Sequence, residues 1–202
     1  MMVPNAAVGG LPVRGPIPTL YDGNRGPNRA FADALTLLKR ARPEAIQVHS
    51  WEIESAARTI RLTFKDKPII AGFGVDGIAR KVSAGQITPE QAAEEFVKLA
   101  DSAVRAKCIA VMWNGEQAYK AAKGSEAAAK IARAVRLGLA AVKAKYPDLI
   151  QLHTAYDHPS YHSEYPWPAW IGAGSPITAS APQVYADRKS TRLNSSHANV
   201  SR

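Results

Sequence analysis

Short apolar runs alternate with amphipathic stretches along most of the chain. Each apolar run has the length of a strand rather than of a helix, and it ends in polar or aromatic residues. The runs that we predict to be strands are residues 17–22, 45–51, 68–74, 108–116, 149–157 and 177–185. Strands that alternate with helices usually pair in parallel, so this pattern predicts an α/β fold.

The stretches between these runs repeat apolar residues every three or four positions, which is the period of an amphipathic helix. The predicted helices are residues 28–42, 53–64, 88–107 and 125–146. Residues 88–107 give the clearest pattern, because Thr88 is a good N-cap, Pro89 suits the first turn and Gln91 completes a capping box. Pro147 is expected to end the last of these helices.

Two α/β architectures fit this alternation, an open doubly wound sheet and a (β/α)8 barrel. The chain has no G-x-G-x-x-G motif after its first strand and no G-x-x-x-x-G-K-[ST] motif, which disfavours a nucleotide-binding doubly wound fold. Polar and aromatic residues instead follow nearly every predicted strand, where barrel enzymes place their sites. Six units are about two fewer than a barrel needs, so we predict a (β/α)8 TIM barrel truncated after about six strand-helix units.

The last sixteen residues differ in character from the rest of the chain. The run DRKSTRLNSSH at residues 187–197 resembles the conceptual translation of a sequencing-library adapter. We therefore expect residues 187–202 to be a non-native tail and exclude them from the fold. Residues 1–186 are then expected to form one partial TIM-barrel domain of catalytic type. Without the tail, which holds four basic residues and one acidic residue, the net charge falls from +9 to +6.

Composition argues against several classes of function. The basic residues are dispersed along predicted helices, which indicates solvated helix faces and no nucleic-acid partner. No run of 18 apolar residues occurs, so no membrane span is expected. The start of the chain lacks the apolar core of a signal peptide, so we expect a cytoplasmic protein that reaches the cell wall on lysis. The single cysteine, Cys108, permits no intrachain disulfide, and nothing in the sequence indicates an oligomeric state.

Strand alternation predicts which polar side chains meet at the mouth of the barrel, because residues two apart share one face of a strand. On the second strand this rule selects Gln47, His49 and Trp51. On the fifth strand it selects Gln151, His153 and Asp157. With the loops that follow the third and fifth strands included, the predicted substrate-binding residues are Asn114, His49, Trp51, Asp76, His153, His158, Trp167, Trp170, Gln183 and Tyr185.

Glu116 is the residue that we predict to be the catalytic acid. It follows the apolar run CIAVM at residues 108–112, so it should emerge at the mouth beside an apolar wall, which suits a general acid. Asn114 lies two residues earlier and should orient a hydroxyl or N-acetyl group of the same ligand. Asp157 is the predicted supporting carboxylate. The competing interpretation is that Glu116 is a helix-entry residue or a salt-bridge partner.

The loop after the fifth strand is rich in aromatic residues: Tyr156, Tyr161, Tyr165, Trp167 and Trp170. Flat aromatic faces near a mouth suit the apolar faces of sugar rings, but the same rings also suit packing of the loop onto the barrel. Histidine is also a common zinc ligand. A metal-dependent barrel hydrolase is therefore an alternative, with the ligands His49, His153 and His158. No G-x-S-x-G elbow supports a Ser-His-Asp triad.

Three short segments carry a resemblance to a known family: AVMWNGE at residues 110–116, YDHP at 156–159 and APQVY at 181–185. The body of the chain, about residues 45–186, resembles TIM-barrel glycoside hydrolases, particularly the lysozyme-like domains of phage endolysins and bacterial cell-wall enzymes. The resemblance implies that Glu116 is the acid at the end of the fourth strand and that Gln183 and Tyr185 meet the substrate from the sixth.

The chain departs from that family at one position. The fourth strand often ends there in Asp-x-Glu, and Asn114 stands where the aspartate would be. Glycoside hydrolysis normally uses two carboxylates. The second one is expected from Asp157, from Asp22 or from strands beyond the sixth; alternatively, a substrate N-acetyl group acts as internal nucleophile with help from the Asn114 amide.

The sequence therefore predicts a glycosidase that acts on peptidoglycan or a related polysaccharide by carboxylate general acid/base catalysis. A glycan is the expected partner, and the chemistry needs no cofactor. Two alternatives stay open at this point. One is a catalytically silent carbohydrate-binding or phage structural barrel, and the other is the metal-dependent hydrolase.

Overall fold

A computed structural model of the 202-residue chain describes residues 19–21, 39–40, 42–49, 52–121, 123–156 and 161–182, with the backbone alone described at 19–21 and 182. These residues contain six strands. They are β1 (Thr19–Tyr21), β2 (Ile46–His49), β3 (Ile69–Gly74), β4 (Ala110–Asn114), β5 (Ile150–Ala155) and β6 (Ile177–Pro182). Each strand lies inside an apolar run that the sequence predicts to be a strand.

Within the described ranges five α-helices lie between the strands, and residues 39–40 are helical as well. The five are α1 (Ile53–Thr63), α2 (Asp76–Ser83), α3 (Pro89–Arg105), α4 (Glu126–Lys145) and α5 (Trp167–Ile171), and a short 3-10 turn covers Gln117–Tyr119. Helices α1, α3 and α4 lie in predicted helices. The prediction for the segment after β3 is wrong. Asp76 was predicted to lie in a loop, whereas it is the first residue of helix α2. No helix among the described residues is long and apolar enough to cross a membrane.

The strands form one parallel sheet in the order β1-β2-β3-β4-β5-β6. A doubly wound sheet reverses its strand order at a switch point, whereas a (β/α)8 barrel adds each strand beside the one before it. The sequential order is therefore that of the barrel, which confirms the predicted fold class. In the described part of the chain, β1 and β6 are the two edges of the sheet.

Apolar side chains cover both faces of the sheet. The larger cluster lies between the sheet and the helices and includes Phe73, Phe96, Trp113 and Trp170. The smaller cluster lies on the opposite face, which corresponds to the inside of a barrel, and consists of Ala45, Ile70, Ala110, Met112 and Leu152. It occupies the amino-terminal half of the strands. Gln47, which pairs with Ile70, is a polar residue of this inner face at the level of the cluster. Asn114 and Thr154 lie nearer the carboxyl ends, above this apolar floor.

Helices α3 and α4 pack closely against each other and against the sheet. The predicted capping box at the start of α3 is present, since Thr88 Oγ1 accepts from Gln91 N–H and Gln91 Oε1 accepts from Thr88 N–H. Phe96 of α3 is fully buried and meets Trp113 edge-on, with ring centroids 5.1 Å apart. A Cβ atom at Gly138 of α4 would lie 2.5 Å from Phe96 Cδ2. Glycine at this position therefore permits the close approach of the two helices.

Candidate functional site

The strand register places three polar residues on the inner face near the carboxyl ends of the strands. His49 pairs with Gly72, and Asn114 pairs with Gly74 on one side and with Thr154 on the other. Paired residues of neighbouring strands point to the same side of a sheet. His49, Asn114 and Thr154 therefore share the inner face, above the apolar floor.

Two glycines of β3 leave room for the side chains of β2. A Cβ atom at Gly72 would lie 2.8 Å from Gln47 Nε2 and 3.3 Å from His49 Nδ1, and a Cβ atom at Gly74 would lie 3.4 Å from His49 Nε2. The side chains of Gln47 and His49 thus extend across β3. Any residue larger than glycine at position 72 would have to displace Gln47.

Glu116 follows β4 by two residues and is half-buried. Its backbone N–H donates to Asp76 Oδ1 at 2.7 Å, so the end of β4 is joined to the start of α2. A main-chain hydrogen bond joins the same two segments, since Val75 N–H donates to Asn114 O at 2.9 Å. The backbone of Glu116 is therefore held in place just beyond the carboxyl end of β4.

The charge of Glu116 acts on neighbouring side chains, among them His49 and Tyr156. Burial lowers the pKa of His49, and the negative charge of Glu116 opposes that shift. Burial also raises the pKa of Tyr156 to about 12, and the carboxylates of Glu116, Asp76 and Glu164 add to this increase. These groups are therefore close enough to interact electrostatically. Together with Asn114 they form what we call the mouth cluster: His49, Asp76, Asn114, Glu116 and Tyr156.

A second group of side chains supports Tyr156 from the rim. Lys120 Nζ donates to His162 Nδ1 at 2.8 Å and lies 3.3 Å from Glu164 Oε1. The same ammonium group lies 4.1 Å from the centroid of the Tyr156 ring, and the His162 ring packs on Tyr156 with centroids 3.8 Å apart. The Lys120 ammonium group and the His162 imidazole, which are bonded to each other, thus contact the same side of the Tyr156 ring. The Tyr156 hydroxyl donates to Gln117 Oε1 at 3.3 Å.

The predicted orientation of β5 is wrong. Gln151 and His153 face the helices and not the mouth, because the register puts Ile150, Leu152 and Thr154 on the inner face. Gln151 accepts from Trp113 Nε1 and donates to the carbonyl of Leu139, both at 3.1 Å. Gln151 and His153 find their hydrogen-bond partners on the helix-facing side, so His153 is not a residue of the mouth.

The two predicted stacking tryptophans differ in their surroundings. Trp170 is fully buried, and its ring stacks on His153 with centroids 4.7 Å apart. The prediction that Trp170 offers a sugar-stacking surface is therefore wrong in this structure. Trp167 is half-buried, and its Nε1 donates to the carbonyl of His162 at 3.0 Å. Both tryptophans belong to α5, which was predicted as an aromatic loop.

The predicted histidine metal site is not assembled. His49 lies on the inner face, whereas His153 lies on the helix-facing side with both ring nitrogens hydrogen-bonded, to Ser180 Oγ and to Tyr165 Oη. Two residues on opposite faces of a sheet cannot share one ion. Within the described ranges no group of three or more metal-binding side chains occurs. The third member of the predicted site, His158, lies outside the described residues.

Several other predicted site residues also lie outside the described residues: Trp51, Asp157, Gln183 and Tyr185. Their predicted roles stay predictions.

Two residues of the inner face were absent from the predicted site. Tyr156 was noted only as one of several loop aromatics, and Thr154 was not selected at all. A signal for Thr154 exists in the sequence, because it lies two residues after Leu152 and two before Tyr156. That spacing places Thr154 at the mouth only once it is known that Leu152 faces the inside of the sheet.

No family model matches the chain, and no curated protein matches it in sequence. Among solved structures the chain is similar to the one titled "Crystal structure of a GH18 chitinase from Pseudoalteromonas aurantia", with a TM-score of 0.52 and 13% sequence identity. The similarity covers 86% of this chain and 68% of that chain. At this identity the likeness concerns the fold alone. It agrees with the sequential strand order in indicating a TIM-barrel-like α/β fold, and it does not bear on the predicted resemblance to lysozyme-like domains.

Proposed function

We propose that this chain is a glycosidase domain that hydrolyses a polysaccharide of N-acetylated sugars, with Glu116 as the general acid. The observation that carries the proposal is the position of Glu116 at the carboxyl end of β4, inside the mouth cluster and above the apolar floor. Barrel enzymes place their catalytic groups at these strand ends. We extend the proposal to residues 1–186 as one partial barrel domain.

The arrangement of carboxyl groups favours participation of the substrate in the reaction. In the family that this chain resembles, an aspartate stands at the position of Asn114. Asp76 is another carboxylate of the mouth cluster, but it already accepts a hydrogen bond from the Glu116 backbone N–H. Some glycosidases use the N-acetyl group of the substrate in place of a second enzyme carboxylate. Chitin and the glycan strands of peptidoglycan both carry such groups, and the neighbour titled a GH18 chitinase supports this substrate class.

The proposed reaction has two steps. First, the acetamido oxygen attacks the anomeric carbon, the glycosidic C–O bond breaks, and the Glu116 proton moves to the leaving oxygen. Water then opens the cyclised intermediate, and its proton returns to the Glu116 carboxylate. The Asn114 amide and the Tyr156 hydroxyl are the groups of the mouth cluster suited to orient the acetamido group. Asp157, as the predicted supporting carboxylate, would stabilise its nitrogen.

Further substrate contacts are proposed around this centre. His49 and Trp167 are the described residues that we assign to them. The predicted contacts that lie outside the described residues complete the set: Trp51, His158, Gln183 and Tyr185.

Substitution of Glu116 tests the proposal. Turnover of a fluorogenic chitooligosaccharide and of purified peptidoglycan would be measured for the wild-type chain and for Glu116→Gln. We expect a loss of kcat of about a thousandfold, within the range for a missing proton donor, with binding of unreacted chitooligosaccharide retained. Glu126→Gln is the matched control, because Glu126 is an exposed residue in the first turn of α4. A chain that hydrolyses cellooligosaccharides equally well would contradict the role of the N-acetyl group.

A catalytically silent carbohydrate-binding barrel is the second candidate, and Asn114 in place of a carboxylate is the observation that favours it. This candidate predicts that wild type and Glu116→Gln bind chitooligosaccharide equally and that neither hydrolyses it. Turnover by the wild-type chain would exclude the silent barrel.

A further inference from the structure

The peptide group that joins Gly115 to Glu116 is held from both sides. Its carbonyl oxygen accepts from Tyr165 Oη at 2.9 Å, and its N–H donates to Asp76 Oδ1 at 2.7 Å. A peptide group is planar and rigid, so one bond to its oxygen and one to its nitrogen fix the rotation of the whole plane. That rotation sets the direction in which the Glu116 side chain leaves the backbone.

The Tyr165 hydroxyl is itself oriented by a chain of hydrogen bonds that reaches β6. A hydroxyl has one proton to donate, and Gly115 O can only accept it. His153 Nε2, which lies 2.9 Å from Tyr165 Oη, must then be the donor, and His153 Nδ1 accepts from Ser180 Oγ at 2.9 Å. This order fixes the neutral Nε2–H tautomer of His153. Burial agrees with that assignment, because it lowers the pKa of His153 to about 3.

The space around Gly115 leaves little freedom for a different conformation. A Cβ atom at this position would lie 2.9 Å from the Tyr119 ring and 3.1 Å from Trp170 Cζ2. The peptide plane is thus enclosed by buried rings and hydrogen-bonded at both polar atoms.

We infer that Asp76 and Tyr165 are positioning residues for Glu116: together they clamp the Gly115–Glu116 peptide and thereby aim the carboxyl group at the scissile bond. The inference rests on the proposed function of Glu116. It gives the Ser180–His153–Tyr165 chain of hydrogen bonds a role in catalysis without contact with the substrate. It also assigns Asp76 the role of holding the backbone N–H of Glu116.

Variants of the full chain separate positioning from general stability. Asp76→Ala removes the acceptor, whereas Asp76→Asn keeps an oxygen at the same place. Tyr165→Phe removes the hydroxyl bound to Gly115, and Tyr119→Phe is its matched control, because it removes a buried tyrosine hydroxyl that binds Val75 instead. The readouts are kcat and KM for chitooligosaccharide, and hydrogen exchange of the Glu116 amide by NMR, with the Ala92 amide of α3 as internal reference.

For Asp76→Ala we expect exchange of the Glu116 amide to rise at least about tenfold while that of Ala92 stays constant. We expect kcat to fall roughly 10- to 100-fold with KM unchanged, because a small displacement of a catalytic group has effects of this size. Asp76→Asn should recover most of both losses. Tyr165→Phe should lower kcat in the same way, and Tyr119→Phe should not.

Three results would overturn the inference. The first is an unchanged exchange rate of the Glu116 amide in Asp76→Ala, which would show that the contact does not hold the peptide. The second is wild-type kcat in Asp76→Ala, and the third is equal effects of Tyr165→Phe and Tyr119→Phe on kcat, both in a chain that Glu116→Gln inactivates. Full activity of Glu116→Gln is different, since it removes the proposed function and with it the catalytic role of the clamp, whatever the amide measurement gives.

Discussion

His153 is fully buried on the helix-facing side of β5 and hydrogen-bonded at both ring nitrogens. Tyr165 lies against it as a phenol with a raised pKa, because burial disfavours the phenolate. Neither group gains from ionising in the folded chain. At the scale of single residues, His153 and Tyr165 are therefore neutral polar groups that satisfy each other. The charge of Glu116 acts on Tyr165 as well as on His49 and Tyr156 at the mouth.

The buried neutral state of His153 predicts a pH dependence of stability. The folded pKa, about 3, is below the ordinary value of 6.5, so the unfolded chain binds a proton between these two values and the folded chain does not. The contribution of His153 to stability is thus fully present above about pH 6.5 and is lost as the pH falls toward 3. The slope is about 1.4 kcal/mol per pH unit in this window.

The measurement is the free energy of unfolding of wild type and His153→Gln at a series of pH values. Carboxylates titrate in the same window, but they are common to both proteins, so the difference between the curves isolates His153. Curves that run parallel from pH 7 to pH 4 would contradict this account.

At the scale of elements, the close packing of α3 on α4 depends on a small residue, Gly138, that faces a large one, Phe96. Gly138→Ala would bring a methyl group to 2.5 Å from Phe96, whose ring is locked against Trp113 and Trp170. Overpacking of this kind costs about 1–3 kcal/mol, so we expect a lower free energy of unfolding in denaturant titrations. Gly77→Ala in α2 is the control, because nothing lies within 4 Å of its Cβ position, and it should be neutral or stabilising by up to about 1 kcal/mol. Equal effects of the two substitutions would refute the packing argument.

How much of each element could be predicted depends on whether its signal is local. The cap of α3 and the position of each strand follow from neighbouring residues, and the structure confirms them. The face that β5 turns inward does not, because a buried parallel strand is apolar on both faces. Gln151 and His153 were assigned to the mouth as polar residues, yet distant partners, among them Leu139 and Tyr165, satisfy them on the other side. Tyr156 was left out of the site for the same reason, since its proximity to Glu116 arises only from the tertiary fold.

At the scale of the whole molecule, sequential parallel winding brings the carboxyl ends of neighbouring strands to one edge. Residues far apart in the chain, from His49 to Tyr156, therefore meet around Glu116. The apolar floor closes the inner face below them, and the rim formed by Lys120, His162 and Glu164 borders Tyr156. The fold thus supplies a polar site with an apolar base, which suits a sugar ring with polar edges and apolar faces.

Gly74, on the inner face of β3 near its carboxyl end, also offers a position for covalent labelling of the mouth. A side chain would fit at Gly74, because its Cβ atom would lie at ordinary contact distances from His49. The one native cysteine, Cys108, is buried, and burial raises the pKa of its thiol to about 11. A thiolate is the reactive form of cysteine. Gly74→Cys would therefore offer the single reactive thiol of the described chain at the mouth, where an attached fluorophore would report glycan occupancy directly, with or without turnover.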